Sequence, residues 1–249
     1  MATRLYFANT APNISPTPHS QWGVAGPYNY ATLVTSPTNT AYAEKSKSRG
    51  SGVTVQVPQV QLISGTIAKG TNFTTSDTFM TVARTREGTT NHDASSCVSI
   101  RILSSTGVEQ AVLYTENIIG LGNTQEWATS LTNRKFPRAV ADNTGTALQT
   151  NYTTVAGDRL EVTLGSRIGG DFGGGFVEVG DLIASTDLVH NNTANTQNRP
   201  WFELSNNFDI AGGTIKTKTS GTFTAREIKY KSGGTWSWHK YRNKDGGSF

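Results

Sequence analysis

The sequence predicts an all-β protein, and three observations carry the prediction. The first is the stretch Val155–Leu164, V-A-G-D-R-L-E-V-T-L, in which Leu160, Val162 and Leu164 alternate with Glu161 and Thr163. A period of two puts three apolar side chains on one face of a strand and polar ones on the other. Burying them stabilises by about 1.5–3 kcal/mol each, which fixes the register. The second is composition. The 37 Thr and 26 Gly suit half-buried pleated surfaces and tight turns, and helix formers are correspondingly scarce. The third is that alternation of the same period returns at Val53–Val57, Val98–Ile102 and Val108–Tyr114.

Taken in order, Thr3–Phe7 reads as the first strand. Residues 9–27 hold Pro12, Pro16, Pro18 and Pro27 and form an extended, helix-free arm. Trp22 interrupts this arm as an anchor for an apolar pocket. Tyr28–Val34 is a second strand, and residues 35–52 are a long polar loop. The apolar set Val53, Val55, Val57 resumes at Val60 and Leu62 after Pro58, a one-residue change of phase that marks an edge position or a bulge. Phe79–Ala83 is a strand and residues 84–96 a loop. Val98, Ile100 and Ile102 then share a face, and Ser104–Gly107 turns the chain into the hairpin partner Val108–Tyr114. Asn123 with Glu126 three residues on resembles a helix start, so one short helical turn is expected through Trp127 and Leu131. Gly157-Asp158 makes the tight turn before the Leu160 strand. Residues 169–175 are a Gly-rich loop that lacks the Lys-Ser/Thr of a phosphate loop. Phe176–Val179 and Pro200–Leu204 are further strands, separated by the polar loop 190–199.

From Thr214 the chain changes character, which divides it into a sandwich over residues 1–213 and a basic, aromatic extension over 214–249. Within the extension, Ser232-Gly233-Gly234 closes a hairpin that sets Tyr230 opposite Trp236 and Ile228 opposite Trp238. Lys240, Tyr241 and Arg242 follow. Charge repeats the division. Residues 51–213 are net −5 and residues 214–249 net +6, while residues 1–50 are net +3. Such asymmetry concerns partners rather than fold.

Several function classes are not expected. No apolar run approaches the length of a membrane span. The N-terminus lacks the apolar region and cleavage pattern of a signal peptide, so ordinary export is not expected. The single Cys97 has no internal disulfide partner and reads as a buried small hydrophobe. The sequence has no H-E-x-x-H, G-x-S-x-G or Walker motif. His19, His92, His190 and His239 sit in separate segments, so neither a metal nor a cofactor is expected, and no catalytic residue is assigned. Asp171, Glu178 and Asp181 beside the Gly-rich loop have Ca²⁺-type chemistry, but a solvated acidic rim is the expected reading. The N-x-Ser/Thr patterns at Asn13, Asn72, Asn151 and Asn191 follow from composition.

Four segments occur in order: M-A-T-R-L-Y-F at the start, S-L-T-N-R-K-F at 130–136, A-G-D-R-L-E-V at 156–162 and R-P-W-F-E-L-S at 199–205. In these the chain resembles tailed-bacteriophage virion proteins of jelly-roll-like β-sandwich type. The end, I-K-Y-K-S-G-G-T-W-S-W, is similar to the short hairpins that close many phage structural proteins. The A-G-D-R-L piece also recurs in carbohydrate-binding sandwiches. The resemblance implies a jelly-roll-like antiparallel β-sandwich with a C-terminal β-hairpin extension. It also implies a non-enzymatic head decoration or cement protein, made in the bacterial host cytoplasm and located in the virion. Its partners would be phage capsid or tail proteins and copies of itself. Trp22, Ile228, Tyr230, Trp236, Trp238, Lys240, Tyr241 and Arg242 are the candidate interface residues, with one or both of the arm and the hairpin lying on a neighbouring chain. Neither a membrane nor nucleic acid is an expected partner. The alternative is a carbohydrate- or receptor-binding module of a tail fibre or baseplate, with the hairpin aromatics stacking on a sugar. An enzyme acting on a glycan would need a convergent carboxylate pair.

Overall fold

A computed structural model describes residues 2–24, 26–48, 55–89, 94–116, 126–137, 145–168, 175–189, 197–210, 215–219 and 222–226. In chain order the strands are β1 (Thr3–Ala8), β2 (Tyr30–Val34), β3 (Ala43–Lys47), β4 (Val55–Thr66), β5 (Asn72–Phe73), β6 (Thr78–Glu87), β7 (Ala94–Leu103) and β8 (Glu109–Thr115). They continue with β9 (Thr132–Phe136), β10 (Thr146–Ala147), β11 (Tyr152–Thr153), β12 (Arg159–Ile168), β13 (Gly175–Val179), β14 (Trp201–Leu204), β15 (Ile215–Thr219) and β16 (Thr222–Arg226). No helix occurs among the described residues. The fold is all-β and sandwich-like. The chain divides into two units, Met1–Gly212 and Gly213–Phe249.

In the first unit, β12 is the centre of one layer. It pairs antiparallel with β4 on one side and β7 on the other, and Leu160, Val162 and Leu164 all face inward and are fully buried. β2 and β8 extend this layer outside β4 and β7. The other layer is built on β6. β14 pairs with its first half and β13 with its second, while β10 and β9 line its opposite edge. β3 pairs outside β13. β1 joins the layers, pairing with β14 through Thr3–Tyr6 and with β2 through Tyr6–Ala8. One sheet thus turns a corner at β1 and folds back on itself. Phe79 of β6 meets Tyr114 of β8 across the interior, ring centroids 4.8 Å apart, and stacks on Phe202 of β14. One apolar cluster fills the space between the layers, from Leu5 and Phe7 through Ile100 and Leu164 to Phe208.

Several expectations need correction. The sheet is mixed rather than wholly antiparallel, because β2 and β4 run parallel. Between them the chain crosses to the other layer to make β3, and so returns in the same direction. β3 lies inside the stretch read as a polar loop. β2 pairs with β4 only through Gln61–Ser64, so at Pro58 β4 pairs with β12 and not with β2, the expected edge position. The change of phase is a bulge. Leu164 pairs with Val60 and Gly165 with Pro58, which leaves Gln59 as the extra residue. β6 and β7 run well into the stretch read as the loop 84–96. β9 occupies part of the S-L-T-N-R-K-F segment that had been read only as a motif. Glu126–Leu131 form no helical turn. Instead Glu126 bridges Ser95, and Trp127 enters the core with its Nε1 donating to Ser96 Oγ at 3.0 Å.

The bulge carries a testable consequence. A Cβ on Gly165 would lie 2.2 Å from the Val57 carbonyl oxygen and 2.6 Å from the Trp22 ring. The first obstacle is backbone in mid-sheet, so it cannot step aside cheaply. Gly165→Ala is expected to cost roughly 1–3 kcal/mol and to lower the melting midpoint by roughly 2–12 °C. Thermal melting followed by circular dichroism checks this, and an unchanged midpoint would refute the close approach.

The second unit contains the antiparallel pair β15–β16, with Ile215 opposite Arg226 and Thr219 opposite Thr222. This hairpin lies one step earlier in the chain than the expected one. Ile228, Tyr230, Trp236, Trp238, Lys240, Tyr241 and Arg242 lie outside the described residues.

Candidate functional site

The polar face of β12 meets the N-terminal arm. Register sets Glu161 of β12 directly opposite Arg101 of β7, and Thr163 opposite Ser99 and Gln61. A carboxylate and a guanidinium at facing positions form a cross-strand ion pair. Arg101 Nε donates to Glu161 Oε2 at 2.5 Å and its NH1 to Glu109 Oε2 at 3.0 Å, while its NH2 donates to the Thr17 carbonyl of the arm. Glu161 Oε1 accepts from Thr163 Oγ1 at 2.7 Å. The Gln61 amide, turned as its neighbours require, donates to Glu161 Oε1 (3.0 Å) and to the Pro16 carbonyl (3.2 Å). Tyr30 donates its hydroxyl to the same carbonyl at 3.0 Å.

Burial pushes the Glu161 carboxyl above the ordinary range, against the pull of Arg101 and Thr163. Burial likewise lowers His19 in the arm, with Glu109 and Arg101 acting on it in opposite directions. Both oxygens of Glu161 are engaged and the residue has no exposed surface. This is the chemistry of a lock between sheet and arm rather than of a proton donor to substrate.

Trp22 extends the lock. It is 6% exposed and donates Nε1 to Ser99 Oγ at 2.9 Å. The candidate interface residue of the arm is therefore seated on its own body. The physical reason is the row of donors on the sheet. Arg101, Gln61 and Tyr30 capture the arm's carbonyls, and Gly165 leaves room for the indole.

The outer face of the β6 layer holds the second concentration of charge. Arg4 pairs with Asp187 and Glu203 (3.0 and 2.8 Å), Arg199 with Asp187 (2.9 Å), Arg86 with Glu44 (2.6 Å) and the buried Arg84 with Glu178 (2.9 Å). Gln197 also donates to Glu178, and Tyr6 to Asp187. Each of four aromatic rings lies under a cation. Arg4 is 4.1 Å from the Trp201 centroid, Arg86 is 3.7 Å from Phe176, Arg199 is 5.3 Å from Tyr6 and Lys47 is 5.1 Å from Tyr28. The band thus pairs its arginines with its acids and sets a cation over one face of each of these rings.

Glu178 and Asp181 do not form the solvated rim expected of them, since both are buried. Glu178 turns to Arg84. Asp181 accepts from the backbone and hydroxyl of Thr38 and Thr40. Asp171, His92, His190 and His239 lie outside the described residues. Among the described residues no three His, Cys, Asp or Glu side chains gather as a metal-holding group. No helix among the described residues is long and apolar enough to cross a membrane.

No family model matches the sequence, and no curated protein matches it. Among solved structures, the chain is similar to a CocE/NonD family hydrolase from Staphylococcus aureus at a TM-score of 0.25 and 12% identity, over 83% of this chain and 34% of that one. The chain thus spans about a third of that hydrolase's length. A likeness this low carries no argument about activity.

Proposed function

We propose that the chain is a non-enzymatic structural protein of a bacteriophage virion, a head decoration or cement protein that holds neighbouring subunits through its C-terminal unit. The observation that supports the reading is a division of labour between the two units. Met1–Gly212 is net −2, and internal ion pairs engage its Arg4, Arg84, Arg86, Arg101 and Arg199. Gly213–Phe249 is net +6 and carries Tyr230, Trp236, Trp238 and Tyr241. Aromatics beside like charges suit an interface with an apolar centre and an electrostatic rim. The arm is seated on its own sheet, so this reading gives the clamping role to the C-terminal unit. The four-segment resemblance to phage virion proteins adds the setting.

The test is co-sedimentation with phage particles stripped of this protein, with folding of each variant verified by circular dichroism. The full chain is expected to bind saturably, and residues 1–212 at least tenfold more weakly. Trp236→Ala is expected to weaken binding more than Lys240→Ala, because a central aromatic outweighs a rim charge. Equal binding by the full and shortened chains would remove the C-terminal unit from the interface. Retention of the full chain on a host-polysaccharide column would then favour the carbohydrate-binding alternative. At Tyr6, Tyr28, Phe176 and Trp201 a cation already lies over one ring face and would compete there with a sugar.

A further inference from the structure

We propose that the segment Thr10–Gly23 is a releasable strap, which opens as a unit while the sandwich beneath it stays folded and in doing so uncovers Cys97. The proposal stands on the geometry of the arm and is independent of the virion reading.

Three observations carry it. First, the strap belongs to no sheet. Its ends are fixed where Thr10 N donates to the Ala8 carbonyl and Gly23 N to the Gln56 carbonyl, and between them it crosses the outer face of β7, β12 and β4. Second, the surface beneath it is polar. Ser99, Arg101, Glu161, Thr163 and Gln61 line that face, and Trp22 belongs to neither of the two apolar clusters. Lifting the strap therefore wets groups that water can solvate and leaves the inner cluster sealed. Local opening is favoured where few apolar contacts hold a segment. Third, the face holds a built-in reporter. Cys97 alternates outward with Ser99 and Arg101, while Val98, Ile100 and Ile102 point into the core. Its partner across the sheet is Gly165, which has no side chain to cover it. Gln21 of the strap lies over the sulfur, Nε2 3.8 Å from Sγ, and also donates to the Val98 carbonyl. The thiol is fully buried in the closed state.

The experiment is thiol labelling of the native full-length chain with a soluble aromatic disulfide, followed at increasing sub-denaturing urea. Strap opening exposes little surface, so the labelling rate is expected to rise only shallowly with urea. It is also expected to exceed, by at least a hundredfold, the rate that global unfolding allows. In parallel hydrogen exchange, the amides of Trp22 and Gly23 are expected to exchange at least a hundredfold faster than those of β7 and β12. Trp22→Ala is expected to speed labelling at least tenfold, with the melting transition still cooperative. Labelling that tracks global unfolding from zero urea upward, or strap amides protected as strongly as β12, would overturn the proposal. These wild-type measurements decide it even where Trp22→Ala fails to fold.

Discussion

Val162→Asp is expected to leave no folded protein. Val162 is fully buried at the middle of β12, with Leu62 of β4 and Ile100 of β7 as its cross-strand partners, both also fully buried. None of these can pair with a charge. An unpaired carboxylate in such a site costs several kcal/mol, and the lost valine burial adds roughly 1.5–3 kcal/mol. A domain stable by about 5–15 kcal/mol cannot absorb both comfortably. Val162→Ala loses only the second contribution and is expected to fold with a lowered midpoint. Soluble yield and far-ultraviolet circular dichroism of the two variants are the measurement. A soluble Val162→Asp protein with the wild-type spectrum would mean that the inward face of β12 is the other one.

That face was legible because alternation is a local pattern. Leu160, Val162 and Leu164 need no knowledge of their partners to be sorted inward. The same rule placed Glu161 and Thr163 on the other face, but alternation separates two faces and does not say what covers the second. Here the cover is anchored through the carbonyls of Pro16 and Thr17. Backbone acceptors are the same at every position, so no side-chain pattern announces them. The prolines made the arm extended, and only the opposed Arg101 and Glu161 hinted at where it would lie. β3, A-E-K-S-K, was unreadable for a related reason. It pairs with β13 alone, and short Lys-bearing strands of this kind are how a sheet edge avoids further pairing, so it lacks the apolar period that marks inner strands. At Pro58 the local signal allowed a bulge or an edge, and both hold, because β2 reaches β4 only at Gln61–Ser64 while the register against β12 slips at Gln59. Asn123 and Glu126 imitated a helix cap, but Trp127 is drawn into the interior, where it packs on Phe136 of β9. No feature of its own segment reveals that cavity. Asp181 was legible as an acid near a Gly-rich loop and illegible as a hub, because its partners lie some 140 positions earlier in the chain.

Asp181→Asn is expected to be the most damaging conservative substitution in the described structure. The carboxylate accepts four hydrogen bonds: Thr38 N and Oγ1 on Oδ2 at 2.6 and 2.9 Å, and Thr40 N and Oγ1 on Oδ1 at 2.7 and 2.5 Å. Thr40 Oγ1 in turn accepts from Asn9 N, and the adjacent Gly180 N donates to the Phe7 carbonyl. One side chain thus ties the loop before β3 to the end of β13 and to the start of the arm. An amide can still accept on one side, but on the other it points a donor at two donors. The expected loss is on the order of 2–5 kcal/mol, since bonds to a charged acceptor are the strong ones and a buried donor left unmet is costly. The effect must also depend on pH in one direction. Burial works against the charged form, yet the four donors from Thr40 and Thr38 overcome it and hold the Asp181 carboxyl below the ordinary range. A carboxyl with a depressed folded value contributes its stability above the unfolded value of about 3.9, and that contribution is lost as pH falls through the folded value. The gap in unfolding free energy between the wild type and Asp181→Asn is therefore expected to be full near pH 7 and to narrow progressively below about pH 4. Urea unfolding at a series of pH values measures it. A gap that stays constant down to pH 2.5 would show that the two threonines do not act through the charged carboxylate.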